Sequence, residues 1–178
     1  DSNRGGDDAA ANTLYTPREC VVASDGTLFV SDTLNSRVLR FDDAANKDDG
    51  ANADGVLGQP NFTSSSSATT ASALDNPWGL ALDSAGRLWV ADYFNNRVLR
   101  FDNATDKANG AAADGVLGQA DFDSKASATP RSGMIRPRGV AVSSLGVLFV
   151  SDSVSNRVLR FDNAANKGNG ADADGVLG

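Results

Sequence analysis

The hexapeptide RVLRFD occurs at residues 37–42, 97–102 and 157–162, each copy 60 residues after the one before. A fixed period of this length marks a repeat array, in which each unit buries its apolar surface against its neighbours and not in a core of its own. The repetition runs well beyond the hexapeptide. Pro77, Gly79, Ala81, Gly86, Leu88, Val90, Asp92, Asn96, Lys107, Gly110 and the run 113–118 all recur 60 positions later. At 178 residues the chain is three periods less two, so it is cut in phase with its repeat and divides into units 1–60, 61–120 and 121–178.

Each unit has four short apolar stretches, which in the middle copy fall at 79–82, 88–92, 97–101 and 115–118. Four strands per unit is the count of a propeller blade, and the predicted fold class is all-β. Gly86, with Gly26 and Gly146, stands where the first two strands need a tight turn with positive φ. Leu88, Trp89 and Val90 are apolar in succession, as are Val98 and Leu99, so neither face of the sheet alternates cleanly to polar. A sheet covered on both faces produces that pattern, and a blade is such a sheet.

Composition removes several function classes. The net charge of −7 repels phosphate backbones, so no nucleic-acid partner is expected. Histidine is absent, and with it the commonest general base and metal ligand. No apolar run is long enough to span a membrane. The single cysteine, Cys20, aligns with Leu80 and Val140 and reads as a small buried apolar residue.

The pattern P-x-G-[LV]-A-[LV]-x-x-x-G-x-L-[FW]-V-[AS]-D-x-x-x-N-R-V-L-R-F, carried by residues 77–101 and 137–161, resembles the NHL repeat. The acidic continuation to VLGQ is similar to the long-period repeats of bacterial members. The first copy departs from the pattern, with Glu19 in place of Gly79 and Gly139 and Ser36 in place of Asn96 and Asn156. The resemblance implies a β-propeller, mostly of six blades, of which this chain would supply three, half a ring. The ring would then be completed by more of the same chain or by a second copy, or copies would add head to tail into a filament.

The resemblance also implies a non-catalytic scaffold that binds a protein, peptide or glycan through its upper face. It places the residue after the blade-opening proline at that face: Arg18, Trp78 and Arg138. The turn between the second and third strands brings Leu34, Tyr93, Phe94 and Val154 nearby, and Glu19 shares the rim. Two arginines among exposed aromatics make a mouth for an anionic or sugar-like ligand or a peptide. A structural, self-assembling role, as homodimer or larger assembly, is the second reading. A lyase or lactonase enzyme, as some six-bladed relatives are, is the third. No enzyme activity, cofactor or metal is expected of the chain itself, and acidity with the long repeat favours an extracellular or cell-surface location.

Other charged positions read as scaffold. Asp32, Asp92 and Asp152 precede Arg37, Arg97 and Arg157 by five residues across a turn, and one such pair per blade serves the repeat. Arg40, Arg100 and Arg160 read as stems between blades with their heads in water. The acidic loop at 42–54 resembles part of a calcium loop, but Gly50 holds the first ligand position and Asn61 stands where a bidentate Glu is needed. The Ser/Thr-rich run at 63–72 reads as a flexible insert.

Overall fold

The computed structural model describes residues 8–178; residues 1–7, assigned to the first unit by the repeat register, lie outside the described residues. Each period folds into one four-stranded antiparallel sheet whose strands follow in chain order. The first holds β1 (Pro17–Val22), β2 (Leu28–Asp32), β3 (Arg37–Phe41) and β4 (Gly55–Leu57). The second holds β5 (Pro77–Leu82), β6 (Leu88–Asp92), β7 (Arg97–Phe101) and β8 (Gly115–Leu117). The third holds β9 (Pro137–Val142), β10 (Leu148–Asp152), β11 (Arg157–Phe161) and β12 (Gly175–Leu177). The chain is three blades of a β-propeller. Gly26, Gly86 and Gly146 close the first hairpin of each blade at φ of +88°, +74° and +75°, a region that costs other residues a steric penalty.

The blades stack face to face, which explains the unbroken apolar runs. Leu80, Leu88, Val90, Leu99, Phe101 and Val116 on one face of the middle blade pack on Phe29, Val38 and Leu57 of the first. Its other face, with Ala81, Trp89, Val98 and Leu117, packs on Leu148, Val150, Leu159 and Phe161 of the third. The innermost strands β1, β5 and β9 lie side by side. At that edge Gly79 has no room for a side chain, because a Cβ would sit 3.0 Å from Gly139 Cα and overlap the Arg138 carbonyl oxygen.

A buried ion pair fastens each blade. Arg97 Nε donates to Asp92 Oδ2 at 2.7 Å with both side chains fully buried, and Arg37 and Asp32 repeat this at the same distance. The remaining guanidinium nitrogens reach the loops. Arg97 Nη2 donates to the carbonyls of Thr70 and Ala73, both at 2.9 Å, before the blade, and Nη1 donates to that of Phe122 after it. Asp92 also accepts from Asp75 N and Asn95 Nδ2. Burial nonetheless outweighs the pull of Arg97 and these bonds, and pushes the Asp92 carboxyl up to about 6.

Three expectations need correction. The 63–72 run is pinned: Ser66 O accepts from Gln59 Nε2, Ala68 O from Asn95 Nδ2 and Thr70 O from Arg97, because the buried polar side chains of the blade need these carbonyls. The heads of Arg40 and Arg100 are not free in water. They donate across the seam to Lys107 O and Ala165 O of the following blade, and their guanidinium groups lie over Gly55 and Gly115, where a Cβ would crowd them. Cys20 is exposed, since its face of the first blade has no neighbouring blade on it.

Gly79→Ala should destabilise the protein by roughly 1–3 kcal/mol, since backbone must move to admit the methyl group, and a fall in the urea midpoint at unchanged slope would show it. Asp92→Ala should cost about 3–5 kcal/mol by leaving the Arg97 charge buried and unpaired, whereas Asp102→Ala, on the surface, should cost under about 1 kcal/mol. Carboxyl 13C titration should find Asp92 ionising near pH 6, and Asp54, Asp114 and Asp174, each bonded by a lysine (Lys47, Lys107, Lys167), below the usual 3.8. The signs oppose. The raised Asp92 contributes stability below pH 3.8 that is lost as pH rises through 6, while the lowered three contribute stability above pH 3.8 that is lost on further acidification.

Candidate functional site

Proline opens β1, β5 and β9, and in each case the residue before it has positive φ: Thr16 at +55°, Asn76 at +53° and Arg136 at +56°. Pairing with the second strand then slips between the proline and the fourth residue, as between Pro17 and Cys20 and between Pro77 and Leu80. A bulge at this point frees the second residue of the strand from the regular ladder and re-aims it. Arg18, Trp78 and Arg138 occupy that position, and since the three strands are neighbours, the three side chains converge.

The guanidinium carbon of Arg18 lies 4.1 Å and that of Arg138 4.6 Å from the Trp78 ring centroid. The turn after β6 adds Tyr93 and Phe94. Tyr93 stacks on Trp78 at 5.0 Å between centroids, and Phe94 meets Tyr93 edge-on at 4.9 Å. Tyr93 is buried by this stacking, where the sequence predicts exposure, while Phe94 stays 41% exposed. Arg138 and Arg136 reach Tyr93 as well, each with its guanidinium carbon 5.7 Å from the ring, and Arg136 lies 5.5 Å from Phe94. Hydrogen bonds from Arg138, and less strongly from Arg136, hold the Tyr93 phenol below its ordinary 10.

Two hollows flank this cluster. One, of about 350 Å³, is lined by Arg18, Glu19, Trp78, Gly79, Arg138 and Gly139 at the inner edge of all three blades. The other is lined by Phe94, Asn96, Ser127, Ile135, Arg136 and Val154. Leu34 and Val154 are exposed at the positions equivalent to Phe94. Glu19 lines the first hollow, and one of its carboxylate oxygens accepts from Cys20 N at 3.3 Å.

Arg136 is the site residue that sequence reasoning missed. Its signal was its place before a blade-opening proline, beside a position already singled out. Among the described residues, none of Arg18, Arg136 and Arg138 lies within ion-pair distance of a carboxylate, whereas the blade arginines all do. Stacking on aromatic faces occupies the plane of a guanidinium and leaves its N–H edge for an anion. The arrangement leaves guanidinium N–H edges that can hold a negatively charged group.

The acidic loops have a different use. Asp54 pairs with Lys47 at 2.8 Å and accepts from Asp42 N, and Asp114 does the same with Lys107 and Asp102 N. Among the described residues no group of three or more His, Cys, Asp or Glu is placed to share a metal ion. Among the described residues no helix is long and apolar enough to cross a membrane.

The family model of the NHL repeat matches residues 74–101 and 134–161, the two copies that keep the glycine and the Asn-Arg pair. No curated protein matches the chain significantly. The structure of a nidogen/laminin complex is similar, with a TM-score of 0.58 at 20% identity over 92% of this chain and 48% of that one. The periplasmic gluconolactonase of Pseudomonas aeruginosa is similar at 0.54 and 15% identity, over 90% of this chain and 39% of that one. Virginiamycin B lyase of Staphylococcus aureus gives 0.50 and 16%, over 83% of this chain and 38% of that one. The chain spans less than half the length of each, and at these identities the likeness is one of fold.

The phenol of Tyr93 should titrate below 10 when followed by 13C NMR of the tyrosine Cζ. Arg138→Gln should move it back up, more than Arg136→Gln does, because Arg138 makes the stronger hydrogen bond.

Proposed function

Because the chain belongs to the NHL-repeat β-propellers, we propose that it is a non-catalytic binding module whose arginine and aromatic mouth captures an acidic segment of a protein or peptide partner. The observation that carries this reading is the gathering of Arg18, Arg136 and Arg138 around Trp78, Tyr93 and Phe94, without paired carboxylates, on a chain of net charge −7. Cations concentrated on a chain of negative net charge discriminate by charge, and stacking of their planes on aromatic faces holds them in place for the contact. Exposed Phe94 and the hollow beside it supply an apolar contact next to the charges, the combination typical of an interface hot spot.

A similar fold occurs in a solved complex between two proteins, nidogen and laminin. An extracellular or surface setting fits a binding module of this kind and belongs to the same proposal.

Titration with a synthetic Glu/Asp-rich peptide containing one Leu, followed by calorimetry and by the fluorescence of Trp78, tests the reading. Saturable binding is expected, weakening at least tenfold in Arg138→Glu and in Arg18→Glu and falling as salt is raised from 50 to 500 mM on the order expected from screening. A neutral peptide of the same length should not bind. Equal affinity for the acidic and neutral peptides, or an acidic affinity untouched by Arg138→Glu, would overturn the proposal. Binding of trigalacturonate in place of the peptide would transfer the site to the glycan reading.

A further inference from the structure

The hollow beside the mouth departs from the repeat in a way the blades do not require. About 470 Å³ in volume, it lies over the seam between the second and third blades and is lined by Phe94, Asn96, Ser127, Ile135, Arg136 and Val154. Sixty residues earlier, over the seam between the first and second blades, the same positions are Leu34, Ser36, Ser67, Asp75, Asn76 and Phe94. Apolar Ile135 and cationic Arg136 thus stand where the other seam has a carboxylate and an amide. The backbone is alike at both places. Phe94 N donates to Asp75 O and Val154 N to Ile135 O, while Asp75 N and Ile135 N each donate to Oδ1 of their blade aspartate. The exchange therefore alters what the surface offers a ligand and leaves the scaffold unchanged.

We propose that this hollow is a subsite for one apolar side chain of about the size of leucine, carried by an acidic peptide within two residues of a carboxylate that Arg136 holds. The subsite presupposes the reading of the mouth as a site for an acidic segment and adds a second requirement to it. Phe94 and Val154 form open walls, 41% and 51% exposed, and half-buried Ile135 adds a third apolar wall. Arg136 joins the hollow to the mouth. Its guanidinium carbon is 5.5 Å from the Phe94 ring and 5.7 Å from the Tyr93 ring, against which Arg138 also lies at 5.7 Å. Pro137 alone separates the two arginines, so their Cα atoms are at most about 7 Å apart, the advance of an extended peptide over two residues. Carboxylates at positions i and i+2 of an extended ligand share one face and meet both arginines, and the adjoining residues of the ligand pass over the hollow.

The walls are set before a ligand arrives. Asn96, in the left-handed region at φ of +54°, accepts from Arg136 N through Oδ1 at 2.9 Å and donates through Nδ2 to Lys125 O at 2.9 Å. It thereby ties the turn after β6 to the two segments that lead into β9. Ser153 Oγ donates to Arg136 O at 2.7 Å from the far side. At the preceding seam Ser36, which is shorter, meets Asn76 N at 3.5 Å. A pocket held in this way spends little of its binding energy on ordering its own walls.

Calorimetric titration of the 178-residue chain with three peptides tests the subsite. The first carries Asp-Ser-Asp followed directly by Leu, the second has Ser in place of the Leu, and the third has the Leu moved about ten residues away. The first should bind at least about tenfold more tightly than either of the others, the gain from burying most of a leucine side chain. Val154→Asn, at an exposed position that the blades do not depend on, should cut this preference below about threefold without changing the affinity for the second peptide. In the first complex, intermolecular NOEs should run from the leucine methyls to Val154 and Phe94. Equal affinity for the first two peptides, or for the first and third, would overturn the subsite and leave the acidic-segment reading standing. An undiminished preference in Val154→Asn without those NOEs would do the same. Binding of none of the three would overturn both readings together.

Discussion

Everything in this molecule hangs on a guanidinium removed from water. Arg37 and Arg97 are fully buried, and each satisfies its donors with one aspartate and with backbone carbonyls from loops before and after its own blade. A buried charge is costly unless it is paired and its remaining protons are bonded, and here every guanidinium nitrogen has an acceptor. The planar fork of arginine suits three separated acceptors in a way that the ammonium of lysine does not. One side chain thus joins a strand, the loop entering the blade and the loop leaving it, and long segments with little secondary structure become fixed parts of the scaffold.

Around these clamps the scaffold repeats with little freedom, while the mouth varies. Gly79 and Gly139 stand where β5 and β9 approach too closely for a side chain, and Ser31 and Ser151 brace the bulge by bonding to the backbone of Glu19 and Gly139. The bulge then offers each blade one position outside the ladder. Arginine, tryptophan and arginine fill the three positions with no cost to the blades beneath, and the adjacent turn supplies Tyr93 and Phe94 on the middle blade alone. Separation of a rigid support from a tolerant rim lets a repeat protein carry an individual site on near-identical units.

Most of the fold was legible because each unit states the same constraints in register: the turn glycines, the aspartate and arginine five apart, and the four apolar stretches that became β1 to β12. The site was legible in part. Arg18, Trp78, Arg138, Tyr93 and Phe94 do converge, but the burial of Tyr93 follows from stacking on Trp78 under arginines of the next blade, a contact between distant positions that no local pattern encodes. Arg136 escaped notice because Thr16, Asn76 and Arg136 share a left-handed backbone and no side-chain chemistry. Cys20 was misplaced for a related reason: alignment with Leu80 presumes an occupied neighbouring face. The 63–72 run was misread because its anchors, Gln59, Asn95 and Arg97, belong to the blade framework and its own composition says nothing of them.

The position of each clamp also orders events in time. Arg37 takes acceptors from Ala10 and Thr13, made before it, and from Phe62, made 25 residues after it; Arg97 does the same with Thr70, Ala73 and Phe122. On a ribosome, where chains emerge from the N-terminus and units fold in turn, a blade could pair its strands early but would remain unlocked until the linker to its successor appeared. Translation of each linker then seals the blade behind it and lays down the opening loop of the blade ahead, so a pause placed within a linker would hold a nascent blade assembled but loose.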